Sequence, residues 1–167
     1  MVKKLVYKVL FLLIAINLVS SCKTLANREN FVVYENSDAL VKFAEKQIST
    51  IDCEEFYKRT KQPEKFLLID VRELAEYKKD AIGNAVLIPR GTLEFRIESE
   101  KFFGKIGMPV PKKDTPIYIY CEKGTRGTLA CFSLKQLGYT KVVHIKNGIF
   151  EMRTRFPELI IVPEIIE

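Results

Sequence analysis

Short apolar runs and amphipathic stretches alternate along most of the chain. The apolar runs are rich in β-branched and aromatic residues and are bounded by turn residues, which is typical of strands covered on both faces. They lie at 66–69, 85–88, 117–120 and 139–145, and a short edge strand is predicted at 50–52. Stretches with helical spacing lie between them, at 39–48, 53–58, 71–77, 92–103, 128–137 and 149–156. This alternation predicts an α/β fold with a mainly parallel sheet flanked by helices.

A cysteine stands at the end of one of these strands. Cys121 directly follows the run 117–120, and a helix is predicted to begin shortly after it. Ligands of parallel sheets bind beyond the carboxyl ends of the strands, where the free N–H groups of the next helix attract anions. Gly124 and Gly127 allow the loop to turn its amides inward. We therefore expect this loop to favour the thiolate form of Cys121, which is the nucleophilic form of cysteine.

The same loop carries two positive charges. Arg126 adds a fixed charge at the rim of the predicted site, and Lys123 adds a second one. The alternative is an inert cysteine at a strand end, because cysteine is among the residue types most often buried. The glycines and the arginine at these spacings favour the functional interpretation of Cys121.

Asp70 ends the strand predicted at 66–69. It could be catalytic, or it could tie loops together by accepting hydrogen bonds from the backbone and from arginine, and we favour the second role. Arg72 and Glu76 are four residues apart, so they are predicted to pair on one helical face.

The amino terminus has the layout of a secretory signal. Residues 1–21 combine a basic start, a short apolar core and small residues before Cys22. The sequence Val19-Ser20-Ser21-Cys22 resembles the bacterial lipobox, which implies cleavage before Cys22 and lipid attachment to its thiol. We therefore expect a signal peptide at 1–21, a tether at 22–36, a single domain at 37–167 and a membrane-anchored protein of the cell envelope. An uncleaved anchor helix is the alternative.

Counts of charged residues and of metal-ligating residues argue against a nucleic-acid-binding protein and against a zinc site. The net charge is +6, but three lysines lie within residues 1–21, which leaves 24 basic and 21 acidic residues, too mild and scattered for nucleic-acid binding. Besides Cys22, the cysteines are Cys53, Cys121 and Cys131, an odd number, so at least one thiol is free. His144 is the only histidine, and we expect it to be half-buried and hydrogen-bonded. These residues do not have the spacing of a zinc site, and no metal is expected.

Several motifs in order resemble the rhodanese domain family, over about residues 50–156. They are Leu68-Ile69-Asp70-Val71-Arg72-Glu73 with Glu76-Tyr77, Gly83-Asn84-Ala85 through Ile88-Pro89, Ile119-Tyr120-Cys121-Glu122-Lys123-Gly124-Thr125-Arg126, and Leu137-Gly138-Tyr139 with Val142, Asn147 and Gly148. The resemblance implies an open, mainly parallel sheet of five strands wrapped by helices, and sulfur transfer through a cysteine persulfide. Cys121 matches the nucleophile of the family, and Asp70 and Arg72 match scaffold positions near the site.

The resemblance also implies the substrate contacts. The loop residues Glu122, Lys123, Gly124, Thr125 and Arg126 match the cradle for an anionic sulfur donor, and Lys123 is similar to the lysine of thiosulfate-using members. The implied partners are a small anionic donor and a thiol or cyanide acceptor, and no cofactor is required.

The chain departs from the family at three places. Members commonly have a histidine before the isoleucine where this chain has Ala81-Ile82, and a tryptophan where it has Ile149-Phe150, and this chain has no tryptophan. Gly127 replaces a small hydroxyl or methyl residue. Two other functions therefore stay open: a non-catalytic or redox-sensing module, and a phosphatase or arsenate reductase, although those enzymes place one more residue between cysteine and arginine.

Overall fold

A computed structural model describes residues 32–164 of the chain. The fold described below lies in residues 35–164. The predicted signal peptide, Cys22 and most of the predicted tether lie outside the described residues. The helices are α1 (Ser37–Glu45), α2 (Cys53–Thr60), α3 (Leu74–Tyr77), α4 (Leu93–Arg96), α5 (Glu100–Lys105), α6 (Thr125–Gln136) and α7 (Gly148–Arg155). The strands are β1 (Ser49–Ile51), β2 (Leu67–Asp70), β3 (Ala81–Ile82), β4 (Val86–Leu87), β5 (Ile117–Tyr120), β6 (Val142–Ile145) and β7 (Ile160–Ile161).

Five strands form one parallel sheet in the order β1-β6-β5-β2-β4. The predicted α/β fold with a mainly parallel sheet is therefore confirmed. Strands β2 and β5 lie side by side at its centre, with Asp70 opposite Tyr120. Both strands are buried along their whole length, which explains why their sequences are continuously apolar apart from the terminal Asp70. Their carboxyl ends therefore meet at one edge of the sheet.

The core has one layer on each face of this sheet. Along β5, Ile117 and Ile119 pack with residues of α6, whereas Tyr118 and Tyr120 pack with residues of α2 and α7. Successive side chains of a strand point to opposite faces, so one strand feeds both layers. The edge that holds the ends of β2 and β5 thus lies between two helical layers.

Local signals set the helix starts. The Asn36 side chain accepts a hydrogen bond from the amide of Ala39, and Asp52 and Glu55 form a capping box at the start of α2. Helix α6 begins at Thr125, three residues earlier than the apolar spacing predicted, because the polar residues Thr125 to Gly127 form its first turn.

The carboxyl-terminal tail adds a second, two-stranded sheet. Strand β7 pairs with β3 in antiparallel register, with Ile160 opposite Ile82. The sequence pattern predicted neither strand. Within residues 32–164, no helix is both long enough and apolar enough to span a bilayer.

Candidate active site

Cys121 follows β5 at the carboxyl edge of the sheet and is 1% exposed. Its Sγ accepts a hydrogen bond from the Gly124 amide, with an N–S distance of 3.1 Å. Gly124 has a φ of +113°, in the region that favours glycine, and this backbone turn brings its N–H toward the sulfur. Because α6 begins at the next residue, the amides of its first turn lack partners within the helix and add positive potential close to the thiol.

Helix α7 holds the loop from the other side. The Ile149 amide donates to the Cys121 carbonyl at 2.9 Å, and the Phe150 amide donates to the Glu122 carbonyl at 3.1 Å. This approach requires Gly148, since a Cβ there would lie 2.0 Å from the Cys121 carbonyl oxygen. The amino end of α7 therefore fixes the two residues that begin the loop.

Arg126 is held by Glu76 through two hydrogen bonds of 2.7 Å, from Nη1 and Nη2 to the two carboxylate oxygens. The hydrogen bond to Arg126 lowers the pKa of Glu76 to about 2. The pKa of Arg126 is raised, first by Glu76 and then by interaction with Cys121. The predicted Arg72–Glu76 pair is wrong, because α3 begins only at Leu74 and Arg72 precedes it.

Arg72 lies at the centre of a buried ionic network. It is fully buried beside Asp70, and its Nε lies 2.9 Å from Asp70 Oδ2. Its Nη1 donates to Asp80 at 3.1 Å and to Glu122 at 3.2 Å. Burial disfavours the charged guanidinium of Arg72, but the hydrogen bonds to Asp70 and Asp80 outweigh burial and raise its pKa. Asp70 thus accepts hydrogen bonds from one arginine within the scaffold.

A second arginine closes this network. Arg153, on α7, bonds to both Asp80 and Glu122, with 2.7 Å between its Nε and Asp80 Oδ2. The hydrogen bond from Arg153 lowers the pKa of Glu122. The Glu122 side chain therefore faces the two arginines and anchors the loop.

The other predicted loop residues are more open. Thr125 and Lys123 are exposed, and the Lys123 Nζ lies 5.7 Å from the centre of the Phe150 ring. Lys123 thus places a cation on an exposed side chain of the loop, whereas the guanidinium of Arg126 is paired with Glu76.

His144 lies directly beneath the loop. It is 4% exposed, and its Nε2 has no hydrogen-bond partner among the described residues. The pKa of His144 falls to about 4, because burial disfavours the imidazolium more than interaction with the Gly124 backbone favours it. The expectation of a half-buried histidine is wrong, since His144 is almost fully buried in β6, which lies between β1 and β5.

The other two described cysteines are buried, and their surroundings disfavour the nucleophilic thiolate. Burial and a hydrogen bond with Glu151 raise the pKa of Cys53 to about 11. Burial, followed by the charge of Cys121, raises the pKa of Cys131. All three described cysteines are free thiols. Cys121 alone among them combines a strand end, a helix start and a donated amide hydrogen bond.

The site brings together the predicted residues Cys121 to Arg126 with Asp70 and Arg72. Sequence reasoning missed Asp80, Arg153 and the contact of His144 with the loop. Asp80 and Arg153 are 73 residues apart, so no local spacing signals their pairing. Gly148 was recognised as part of a motif, but its close approach to the Cys121 carbonyl was not foreseen.

Comparison with known proteins gives a consistent result. Residues 52–154 match the rhodanese-like domain family. A sulfurtransferase of Allochromatium vinosum is 31% identical over 102 residues, which cover 61% of this chain and 85% of that protein. A mitochondrial protein of Schizosaccharomyces pombe, named as a proposed thiosulfate sulfurtransferase, is 33% identical over 102 residues, covering 58% of this chain and 72% of that protein. The structure of a human single-domain sulfurtransferase is similar with a TM-score of 0.59 at 25% identity, covering 64% of this chain and 96% of that one.

Proposed function

The chain belongs to the rhodanese-like domain family, and from this premise we propose that it is a sulfurtransferase that carries sulfur as a persulfide on Cys121. The position of Cys121 carries the proposal, because its sulfur lies 3.1 Å from the Gly124 amide nitrogen at the start of a helix. An amide donor at a helix start can stabilise negative charge on a neighbouring sulfur, and we expect the loop amides to act in the same way on the outer sulfur of a persulfide.

The proposed reaction has two displacement steps. The Cys121 thiolate attacks the outer sulfur of thiosulfate, the bond between the two thiosulfate sulfurs breaks, and its electron pair leaves with sulfite. A thiolate or cyanide acceptor then attacks the outer sulfur of the persulfide, and Cys121 departs as the thiolate. Electrons and charge balance in each step, and no cofactor takes part.

The features of the loop favour a small anionic donor such as thiosulfate. The Cys121 residue is 1% exposed, so only a small molecule or a narrow group can reach its sulfur without moving the loop. The exposed Lys123 supplies a cation that can attract the anion, while Arg126, held by Glu76, adds a fixed positive charge. We expect the binding of this donor to involve the backbone amides of Glu122, Gly124 and Thr125.

A sulfurtransferase assay tests this proposal. Wild-type protein is expected to transfer sulfur from thiosulfate to cyanide or to a thiol, and Cys121→Ser is expected to lose this activity. Cys53→Ser and Cys131→Ser are matched controls, because both thiols are buried with raised pKa values, and we expect them to retain most activity. Equal losses in all three variants would contradict the assignment.

The rival functions give different results in the same set of variants. Clear turnover of a phosphate ester by the wild type would identify a phosphatase instead. A wild-type protein whose Cys121 accepts no sulfur, or forms a disulfide with Cys131, would be a binding or redox-sensing module.

We also propose that lipid on Cys22 holds the domain on a membrane of the bacterial cell envelope, after removal of residues 1–21. The support is the apolar leader followed by Val19-Ser20-Ser21-Cys22. When the full chain is expressed in a bacterium, labelled fatty acid should enter the wild type but not Cys22→Ser. A membrane-bound protein of full length with unmodified Cys22 would show an uncleaved anchor instead.

A further inference from the structure

The backbone of the Cys121 loop rests on one buried side chain. His144, on β6, lies against both Gly124 and Gly127. A Cβ added at Gly127 would lie 2.9 Å from Cδ2 and 3.0 Å from Nε2 of the imidazole. The next nearest atom, the Cys121 backbone nitrogen, would lie at an ordinary contact distance of 3.7 Å. The imidazole is therefore what excludes a side chain from position 127.

We propose that His144 is a positioning residue for sulfur transfer, and that its imidazole and the absent side chain of Gly127 form a complementary pair that holds the Gly124 amide against Cys121. The inference rests on the proposed function, and it adds His144 and Gly127 to the residues that shape the site. The pair links β6 to the first turn of α6, the helix that follows the loop.

The position of Gly124 makes this support specific. An ideal Cβ on Gly124 would lie 3.5 Å from both the Asn147 backbone nitrogen and His144 Cε1, and 3.6 Å from His144 Nε2. The imidazole is therefore one of two groups next to the residue that donates to the Cys121 sulfur. If the imidazole is removed, Gly124 loses one of these two neighbours. A displacement of the Gly124 amide by a few tenths of an ångström already lengthens its bond to sulfur.

The polar character of the buried His144 ring is a second observation for a role in the site. The imidazole interacts with the Gly124 backbone, and its Nε2 has no other hydrogen-bond partner among the described residues. An apolar side chain of similar size would fill the same space without burying a polar ring. The neutral state of the imidazole also suits the position, since it leaves the electrostatics of the sulfur to the amides and Arg126.

A comparison of four proteins tests whether His144 positions the Cys121 loop or only fills space beneath it. They are the wild type, Gly127→Ala, His144→Val and the double variant. The first measurement is the rate of Cys121 alkylation by iodoacetamide as a function of pH, which does not depend on sulfur transfer. The second is kcat and KM for thiosulfate, and the third is thermal unfolding. Gly104→Ala is the matched control for adding a methyl group, because nothing lies within 4 Å of that Cβ.

We expect each single variant to lower the alkylation rate at neutral pH and kcat/KM by about tenfold, the effect of weakening one hydrogen bond to a charged group. Their alkylation should require a higher pH than that of the wild type. The double variant should recover to within about threefold of the wild type, because the added methyl group then occupies space that the imidazole has left. The double variant also keeps the test valid if Gly127→Ala alone does not fold.

Two results would overturn the inference. One is a folded His144→Val variant whose alkylation profile and kcat/KM equal those of the wild type. The other is a folded double variant that is no more reactive than the worse single variant. A wild type that accepts no sulfur would refute the proposed function, whereas the alkylation profiles would still decide whether His144 positions the loop.

Discussion

Gly148→Ala should be among the most damaging single-methyl changes in the described domain. The added Cβ would lie 2.0 Å from the Cys121 carbonyl oxygen and 2.9 Å from the Glu122 carbonyl oxygen. Both atoms belong to the backbone, so no side-chain rotation can relieve the overlap. The amino end of α7 would have to move away from the loop and would lose its hydrogen bonds to both carbonyls.

The expected loss of stability has two parts. Gly148 has a φ of +55°, and an alanine in this left-handed region costs about 1–2 kcal/mol. Two broken hydrogen bonds with buried carbonyls cost about 1–1.5 kcal/mol each. The total is about 3–5 kcal/mol, which is a large share of the stability of about 5–15 kcal/mol that is usual for a domain.

Gly83→Ala is a closely matched control. Gly83 has a φ of +50°, but nothing lies within 4 Å of its ideal Cβ. It should therefore show only the backbone cost of about 1–2 kcal/mol. Urea unfolding measures both free energies, and a thiosulfate assay should show a much larger loss of activity for Gly148→Ala. A free-energy loss for Gly148→Ala within about 0.5 kcal/mol of the Gly83→Ala value would refute the reasoning, since this lies within measurement error.

Three further predictions concern ionic groups. As pH falls from 6.5 toward 4, the unfolded chain binds a proton at His144 that the folded protein excludes, so the free energy of unfolding should fall by up to about 3 kcal/mol. Urea unfolding at several pH values measures this fall, and an equal dependence of the unfolding free energy on pH in wild type and His144→Val would contradict it. Arg72→Met should lower the free energy of unfolding by about 3–5 kcal/mol, because it leaves the Asp70 carboxylate buried without its ionic partner. Urea unfolding should show partial recovery when Asp70→Asn is added, and a loss under about 1 kcal/mol for Arg72→Met would exclude a stabilising role of this ion pair. Glu76→Gln should free Arg126 and lower kcat/KM for thiosulfate by about tenfold, as loss of a charge-assisted pair implies, and unchanged kinetics would show that the pair is dispensable.

The central strands were predictable because burial on both faces leaves a continuous apolar run. The run 117–120 coincides with β5, and 66–69 overlaps β2 except that β2 begins one residue later and includes Asp70. Strands β3 and β7 have two residues each, and neither is long enough to show a period. Their pairing joins positions about 80 residues apart, which no local pattern reports.

The ionic contacts of the site were less predictable for a related reason. The spacing of Arg72 and Glu76 has meaning only if both residues lie in one helix, and α3 begins after Arg72. Glu76 is instead turned toward Arg126, fifty residues along the chain. His144 was expected to be half-buried as a strand residue, and no local pattern reports that β6 lies between β1 and β5. Long-range strand order therefore decides its burial, and with it the contact beneath the loop.

Intact-mass measurement after thiosulfate treatment tests the central claim most directly. The account predicts that the wild-type protein gains the mass of one sulfur atom, that a reducing thiol removes it, and that Cys121→Ser gains nothing. A wild-type mass that does not change, or a gain that persists in Cys121→Ser, would contradict the assignment of Cys121 as the sulfur carrier.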